Sequence, residues 1–255
     1  MYKLKIRNKE IEINQFDTSL ESVLLMNSNY FNSEGKRELI DTEKLNNFIG
    51  LFDKVVSDVN YIKTLSLKEK IYILCKIREQ SIGSNFNLKT QCISCQQGFD
   101  FETDFNYKIK NGDLDTTKFK GILLCDSFGS VSDCFLDKNQ MENLNFDEFE
   151  NISNYIKEHK SEIKITYRIM CPLCKHTEDV EIDENFIVNN FCSEPLTTFY
   201  KTIFQLVYNG HFTYKDIMFM KPYERQIMYS YLFDELKRKA DEIKKSNKNI
   251  YKSLS

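Results

Sequence analysis

A chain of 255 residues is long enough to bury a real core, as one large domain or two modest ones. Its 41% hydrophobic and 13% aromatic content excludes a disordered chain, and a net charge of −3 gives no sign of a globally basic nucleic-acid binder, although a local patch can still be basic. Eight glycines and three prolines leave few tight turns, which favours a helix-rich chain over a sandwich of many short strands.

The N-terminal string MYKLKIRNKEIEINQF alternates in polarity. Residues 2–6 and 10–14 read as strands joined at Arg7-Asn8-Lys9, a short β-hairpin. No apolar run reaches signal-peptide length, and none reaches the roughly 18 residues of a membrane helix, so a reducing compartment and no membrane span are expected. Thr18 followed by Glu21 is a capping box that starts a helix with Leu20, Val23 and Leu24. After a polar stretch over roughly 27–41, Leu45, Phe48, Ile49, Phe52, Val55, Val56 and Val59 keep helical spacing without a break. Ser66 and Glu69 form a second capping box, opening a helix whose buried stripe is expected to be Leu67, Ile71, Leu74 and Cys75.

From about residue 84 the period changes. Phe86, Leu88, Phe99, Phe101, Thr103 and Phe105 alternate with polar residues on either side of Cys92 and Cys95. Residues 112–163 are mixed, with a strand expected at 121–125 and a helix near 146–158. Ile163, Ile165, Tyr167 and Ile169 alternate into Cys171 and Cys174, and Val180 and Ile182 alternate out. Beyond Phe191, the stripe Leu196, Phe199, Tyr200, Ile203, Phe204 and Val207 predicts a helix ending near Asn209-Gly210. Thr213 can cap a short helix, and Pro222 suits the first turn of a long final one carrying Ile227, Tyr231, Leu232, Leu236 and Ile243. The lysine- and asparagine-rich tail after about 244 is expected to fray.

Two segments share one layout: an alternating strand, a Cys-x-x-Cys turn and an acidic alternating strand. The two-residue spacer lets both sulfurs of a pair face one tetrahedral centre, so two such knuckles make a zinc ribbon with Cys92, Cys95, Cys171 and Cys174 as ligands of one structural Zn2+. Between Cys95 and Cys171 lie 75 residues, far more than the usual gap, and the matching hairpins make that gap an insertion between two ribbon halves. The competing readings are two separate cysteine loops, or a redox pair; the latter needs a helix N-terminus after the pair, and neither pair opens a convincing helix. Cys75 reads as a core residue, His176 as a rim residue of the metal site, and Cys125, Cys134 and Cys192 are unpaired by spacing.

His159, His176 and His211 are dispersed, and no Gly-rich phosphate loop is present, so nothing supports an enzyme or a small-molecule substrate. Lys237, Arg238, Lys239, Lys244, Lys245, Lys248 and Lys252 concentrate at the C-terminus. Asp234, Glu235, Asp241 and Glu242 interleave with them, the pattern of a solvated helix face; a basic helix beside a zinc ribbon would instead bind nucleic acid.

The run LSLKEKIYILCKIREQSIGSNFNLKTQCISC resembles the signature region of T-even-type bacteriophage baseplate hub assembly proteins, hub subunits or assembly chaperones. In these, a helix ends in Arg-x-x-Ser-Val/Ile-Gly and leads into a strand and a cysteine knuckle; here the string is Arg78, Ser81, Ile82 and Gly83. CPLCKHTEDVEIDENFIVNNF resembles a later part of the same proteins. The stretch from Leu196 to Lys239 resembles a related hub-assembly module, with Tyr200, His211, Tyr214, Pro222, Glu224 and Arg225 at matching positions. The resemblance spans residues 1–105 and 163–245. Gly83 would then allow a sharp helix-to-strand turn, Pro222 and Glu224 would start the last helix, and Arg225 would pair with a carboxylate or a neighbouring backbone carbonyl.

These readings predict an α+β fold, mainly helical, with an N-terminal β-hairpin and a central split zinc-ribbon-like β element. The expected parts are a hairpin-plus-helical domain over 1–84, a ribbon-like domain over 85–190 with its insertion at about 106–162, and a helical docking module over 191–255. The resemblance implies a non-catalytic structural or assembly protein of a contractile-tailed phage's baseplate hub, recognising hub and tail proteins, in the host cytoplasm during assembly and in the virion tail baseplate. The alternative is a nucleic-acid-binding zinc-ribbon regulator of phage transcription.

Overall fold

The structure, a computed structural model, describes residues 1–7, 9–32, 42–192 and 194–253. The elements run β1 (Tyr2–Ile6), β2 (Lys9–Ile13), α1 (Thr18–Asn32), α2 (Thr42–Gly50), α3 (Val59–Thr64), α4 (Leu67–Ser81), β3 (Phe86–Gln91), β4 (Gly98–Thr103) and β5 (Asn106–Lys110). A 3₁₀ turn (Val131–Cys134), α5 (Lys138–Glu142), α6 (Phe146–His159), β6 (Glu162–Met170), β7 (Thr177–Glu181), α7 (Glu184–Asn189), α8 (Leu196–Tyr208), α9 (Tyr214–Phe219) and α10 (Pro222–Ser253) follow. About half of the chain is helical and the sheets are small and antiparallel, so the α+β expectation holds. Two compact units are present: Met1–Gln15 with Phe31–Ser193, and Phe16–Tyr30 with Glu194–Ser255.

In the first unit, β1 and β2 form the expected hairpin, with Leu4, Ile6, Ile11 and Ile13 on its buried face. Asn8 of its turn, and residues 33–41 of the polar stretch, lie outside the described residues. The unbroken helix expected through Val59 is not formed. It stops at Gly50, and residues 51–58 turn back so that Val56 bridges Ile13. Asn14 N–H donates to Val55 O at 2.8 Å and Ser57 N–H to Glu12 O at 3.0 Å, so the hairpin edge takes up backbone groups a helix would have used. Phe52, Val55 and Val56 are buried all the same. Asp58 then caps α3, its carboxylate accepting from Tyr61 N–H.

Helix α4 is the axis of this unit. Its Ser66–Glu69 capping box is present, and Ile71, Leu74 and Cys75 are buried as expected, joined by Tyr72, Ile73, Ile77 and Arg78. Leu67 is exposed instead, because it sits in the first turn ahead of the packed face. Strands β3 and β4 pair, and β5–β6–β7 form a three-stranded sheet in which Asn106 opposes Thr166 and Lys110 opposes Glu162. Residues 106–110 thus belong to the sheet and the insertion proper is 111–161. No regular strand forms at 121–125; Leu124 makes one isolated bridge to Phe135. Around it Cys134, Phe135, Ile152 and Ile156 build a small separate core, with α6 starting where its Asn145–Glu148 capping box places it.

The second unit comprises α1, α8, α9 and α10. Helix α1 starts where expected, but Asp17 caps it: Leu20 N–H donates to its carboxylate at 3.0 Å. Thr18 faces inward instead, its N–H and hydroxyl both donating to Met220 O. Thr213 caps α9, and Pro222 opens α10 with Glu224 accepting from Lys221 N–H at 2.9 Å. The apolar stripe read on α8 divides: Phe199 and Ile203 are buried, whereas Tyr200, Phe204 and Val207 face solvent. The α10 backbone stays helical to Ser253 where fraying was expected, for no glycine or proline interrupts it and i,i+3 and i,i+4 ion pairs line it. Among the described residues, no helix is long and apolar enough to cross a membrane.

Candidate metal centre

Each cysteine pair sits in a turn between antiparallel strands, β3–β4 for Cys92 and Cys95, β6–β7 for Cys171 and Cys174. The two turns are built alike. Gln96 N–H donates to Cys92 O and Lys175 N–H to Cys171 O, and Cys92 N–H and Cys171 N–H donate to the carbonyls of Gln97 and His176. Gln96 and Lys175 both adopt a φ of 59°, which carries each chain past its second cysteine and back into a strand. The second hydrogen-bonded sheet strand, β6, passes close to β4, where Thr103 Oγ1 donates to Arg168 O at 3.2 Å. That contact brings the two turns face to face.

The four sulfurs form one cluster, all within 4.8 Å of one another. Across the turns, Cys92 Sγ lies 3.5 Å from Cys174 Sγ and Cys95 Sγ lies 3.7 Å from Cys171 Sγ. A disulfide needs about 2.05 Å. Four thiolates about 2.3 Å from a tetrahedral metal ion stand about 3.8 Å apart, so the donor set fits one such ion. Cys92 and Cys171 are buried while Cys95 and Cys174 face solvent. Backbone N–H groups point at the sulfurs. Those of Cys174 and Leu173 pull the Cys171 thiol down to about 6. At Cys95 the Gln97 N–H acts in the same direction, but desolvation and the protons shared with Cys171, Cys174 and Cys92 outweigh it and raise the thiol to about 11.

His176 stays outside this group: its carbonyl serves the knuckle, and its Nε2 is buried without a hydrogen-bond partner among the described residues. Cys75 lies deep in α4, where burial pushes its thiol far up; Cys134, in the insertion's core, and Cys125, buried beside it, are also raised by burial, Cys134 to about 11. His159 pairs with Asp113 on the insertion, and His211 has a φ of 59° between α8 and α9.

The motif residues support the frame. Gly83 has a φ of 120° and turns α4 into β3 as its place in the string implied. Arg78 is fully buried; it donates to Gly83 O and, at 2.9 Å, to Asn85 O, and its guanidinium lies 5.6 Å from Phe86 and 5.5 Å from Phe105. Burial pulls its pKa down to about 10. Phe86 also meets Tyr167 and Phe186, whose rings stack 4.7 Å apart, so Arg78 ties the end of α4 to the aromatic base of the ribbon. Ser81 is buried at the same corner. In the other unit, Arg225 is buried against Glu21 and Glu194 and lies 4.7 Å over Phe199. Glu21 reads in the sequence only as half of a capping box and Glu194 carries no signal there; no local pattern relates either to Arg225. On α10, Arg238, Lys239 and Lys244 pair with Glu235, Glu242 and Asp241, as a solvated face does; the side chains of Lys248 and Lys252 lie outside the described residues.

Fold and cluster together define a helix-rich α+β protein whose two cysteine hairpins bring four sulfurs together where they could hold one metal ion. Residues 1–123 match the model of the family described as T4 bacteriophage base plate protein, a match that supports a T4-type phage baseplate protein. The match takes in the hairpin, α4, the Arg78–Ser81–Gly83 corner and the first knuckle, and it bears out the baseplate resemblance there. No curated protein and no solved structure matches the chain.

Proposed function

We propose that the chain is a non-catalytic subunit or assembly factor of the central hub of a contractile-tail baseplate, working by protein–protein recognition. The family match over residues 1–123 carries this reading. The hub assignment within that family is supported by the order of the strings along the chain, from the Arg78 corner to Pro222, Glu224 and Arg225. In this reading the protein assembles in the host cytoplasm with other tail proteins.

The metal is Zn2+, held by Cys92, Cys95, Cys171 and Cys174. An all-thiolate tetrahedral set suits zinc, and four protein ligands leave no position for substrate, so the ion serves as a cross-link between the two hairpins. Ring and backbone contacts then hold the ribbon on α4 as a rigid base for docking.

The test uses the tagged full-length chain in phage-infected cells, with an untagged control. Enrichment of baseplate and tail proteins is expected, with no DNA retardation by the purified protein at physiological salt. DNA binding whose affinity falls steeply with added salt, without tail-protein enrichment, would establish the transcription-regulator alternative instead.

A further inference from the structure

Helix α8 has two apolar faces. One, formed by Phe199, Ile203 and Leu206, is buried in its own unit. The other is left open by the described residues: Leu196, Tyr200 and Phe204 face Tyr229, Leu232, Phe233 and Leu236 of α10 across an open groove of about 1070 Å³. Phe204 is 60% exposed and Phe233 55%. Spacings of i, i+4, i+8 on one wall and i, i+3, i+4, i+7 on the other make each wall a helical stripe. Each wall runs about 12–14 Å at 1.5 Å per residue, the length of two to three turns of a third helix.

The charges along the groove are of one sign. Among the described residues, Lys201 and Lys237 are the only charged ones that line it. Neither has an ion-pair partner among the described residues, whereas Arg238, Lys239 and Lys244 of the same α10 are each neutralised from within the helix. An apolar floor with unneutralised cations on its rim is complementary to a helix with an apolar stripe and carboxylates beside it. A second copy of this chain fits less well. In a two-fold contact through this groove, each copy would set Lys201 and Lys237 against the same lysines of the other.

We propose that the α8–α10 groove receives an acidic-edged amphipathic helix of a partner protein, its apolar stripe against Phe204 and Phe233 and its carboxylates on Lys201 and Lys237. This deepens the recognition reading above and rests on it only for the assembly in which the partner is found.

The test replaces Phe204 by the photo-reactive p-benzoylphenylalanine in the full-length chain, irradiates phage-infected cells and maps the cross-linked peptide by mass spectrometry. A single helical segment of another protein is expected, with Asp or Glu flanking its apolar positions. Lys201→Glu with Lys237→Glu should lower the yield about tenfold or more, and Asp/Glu→Lys changes in the captured segment should restore it. Lys201→Ala with Lys237→Ala gives a milder loss, and circular dichroism checks that helix content is kept. A cross-link into a second copy, into nucleic acid or into a segment without carboxylates overturns the proposal. So does a yield that the charge reversal leaves unchanged, or no cross-link at all. An acidic helix from outside the tail upholds the groove and overturns the baseplate reading; a tail protein caught by a non-helical segment does the reverse.

Discussion

Arg225 Nη2 donates to Glu21 Oε2 at 3.0 Å, with both side chains fully buried although 204 residues separate them in the chain. A second bond, 2.6 Å to Glu194, leaves the guanidinium between two carboxylates, while its Nε and Nη1 find no acceptor among the described residues. Such a pair stabilises modestly when intact and costs heavily when one partner is removed. Arg225→Met is therefore expected to destabilise the α1–α8–α10 unit by about 3 kcal/mol, the lower end for a broken buried pair, because Glu21 can take up a proton. Urea unfolding measures it, and Arg225→Met with Glu21→Gln should recover part of the loss. Full additivity of the two changes would show that the pair does not act as one.

Glu21 makes this unit sensitive to pH. Burial raises its carboxyl from 4.5 to about 7; the Arg225 charge opposes the rise and Glu194 adds to it. The folded chain thus holds this proton more tightly than the unfolded chain, so the contribution is full below about pH 4.5 and is lost as pH rises through about 7. Over that window stability should fall by about 3 kcal/mol. Metal binding weakens in acid and works the other way, so the readout is the difference between the wild type and Glu21→Gln. A difference that does not change between pH 5 and 8 refutes the assignment.

The proposed metal centre would draw two ligands from each hairpin, which makes removal of either half equivalent. About one equivalent of Zn2+ is expected in the purified protein and none in Cys92→Ser or Cys171→Ser, by elemental analysis. Chelation should lower the melting temperature of the ribbon and α4 while the amide exchange of α8 and α9 is unaffected. Metal retained in either serine variant means that the cysteines do not form one site.

Local chemistry was readable in the sequence wherever one short segment decided the outcome. Ser66 and Glu69, Thr213, Pro222, Gly83 and the two cysteine pairs all act within a few residues of themselves. The errors lie where a distant partner changes the result. Phe52, Val55 and Val56 satisfy a helical period and a return strand equally well, and only the edge of β2 decides between them. Thr18 and Glu21 look like a local cap, yet the one donates to Met220 and the other holds Arg225. Glu69 is both: it closes its capping box, and it also binds Arg7 at 2.8 Å and accepts from Ser127 of the insertion at 3.1 Å. The cysteine cluster was legible in its ligands but not in its approach, because β5 and its pairing with β6 lay inside what read as insertion.

Arg78 separates the role of a buried charge from that of a cap. Its two acceptors, Gly83 O and Asn85 O, lie in the turn that leads into the first knuckle, and its flat face covers Phe86 and Phe105. A lysine ammonium can donate to both carbonyls only as a point, without the planar fork that also covers the two rings. Arg78→Lys is expected to cost about 2 kcal/mol and Arg78→Met about 3 kcal/mol, the latter removing the donor from two part-buried carbonyls. Gly83→Ala probes the same turn by backbone alone: a Cβ there meets nothing within 4 Å, but a φ of 120° is strained for any L side chain, at about 1–2 kcal/mol. Near-UV circular dichroism of the Phe86–Tyr167–Phe186 cluster should weaken in the Arg78 variants and persist in Gly83→Ala. If Arg78→Lys unfolds at the wild-type urea midpoint, the guanidinium is not what fastens α4 to the ribbon.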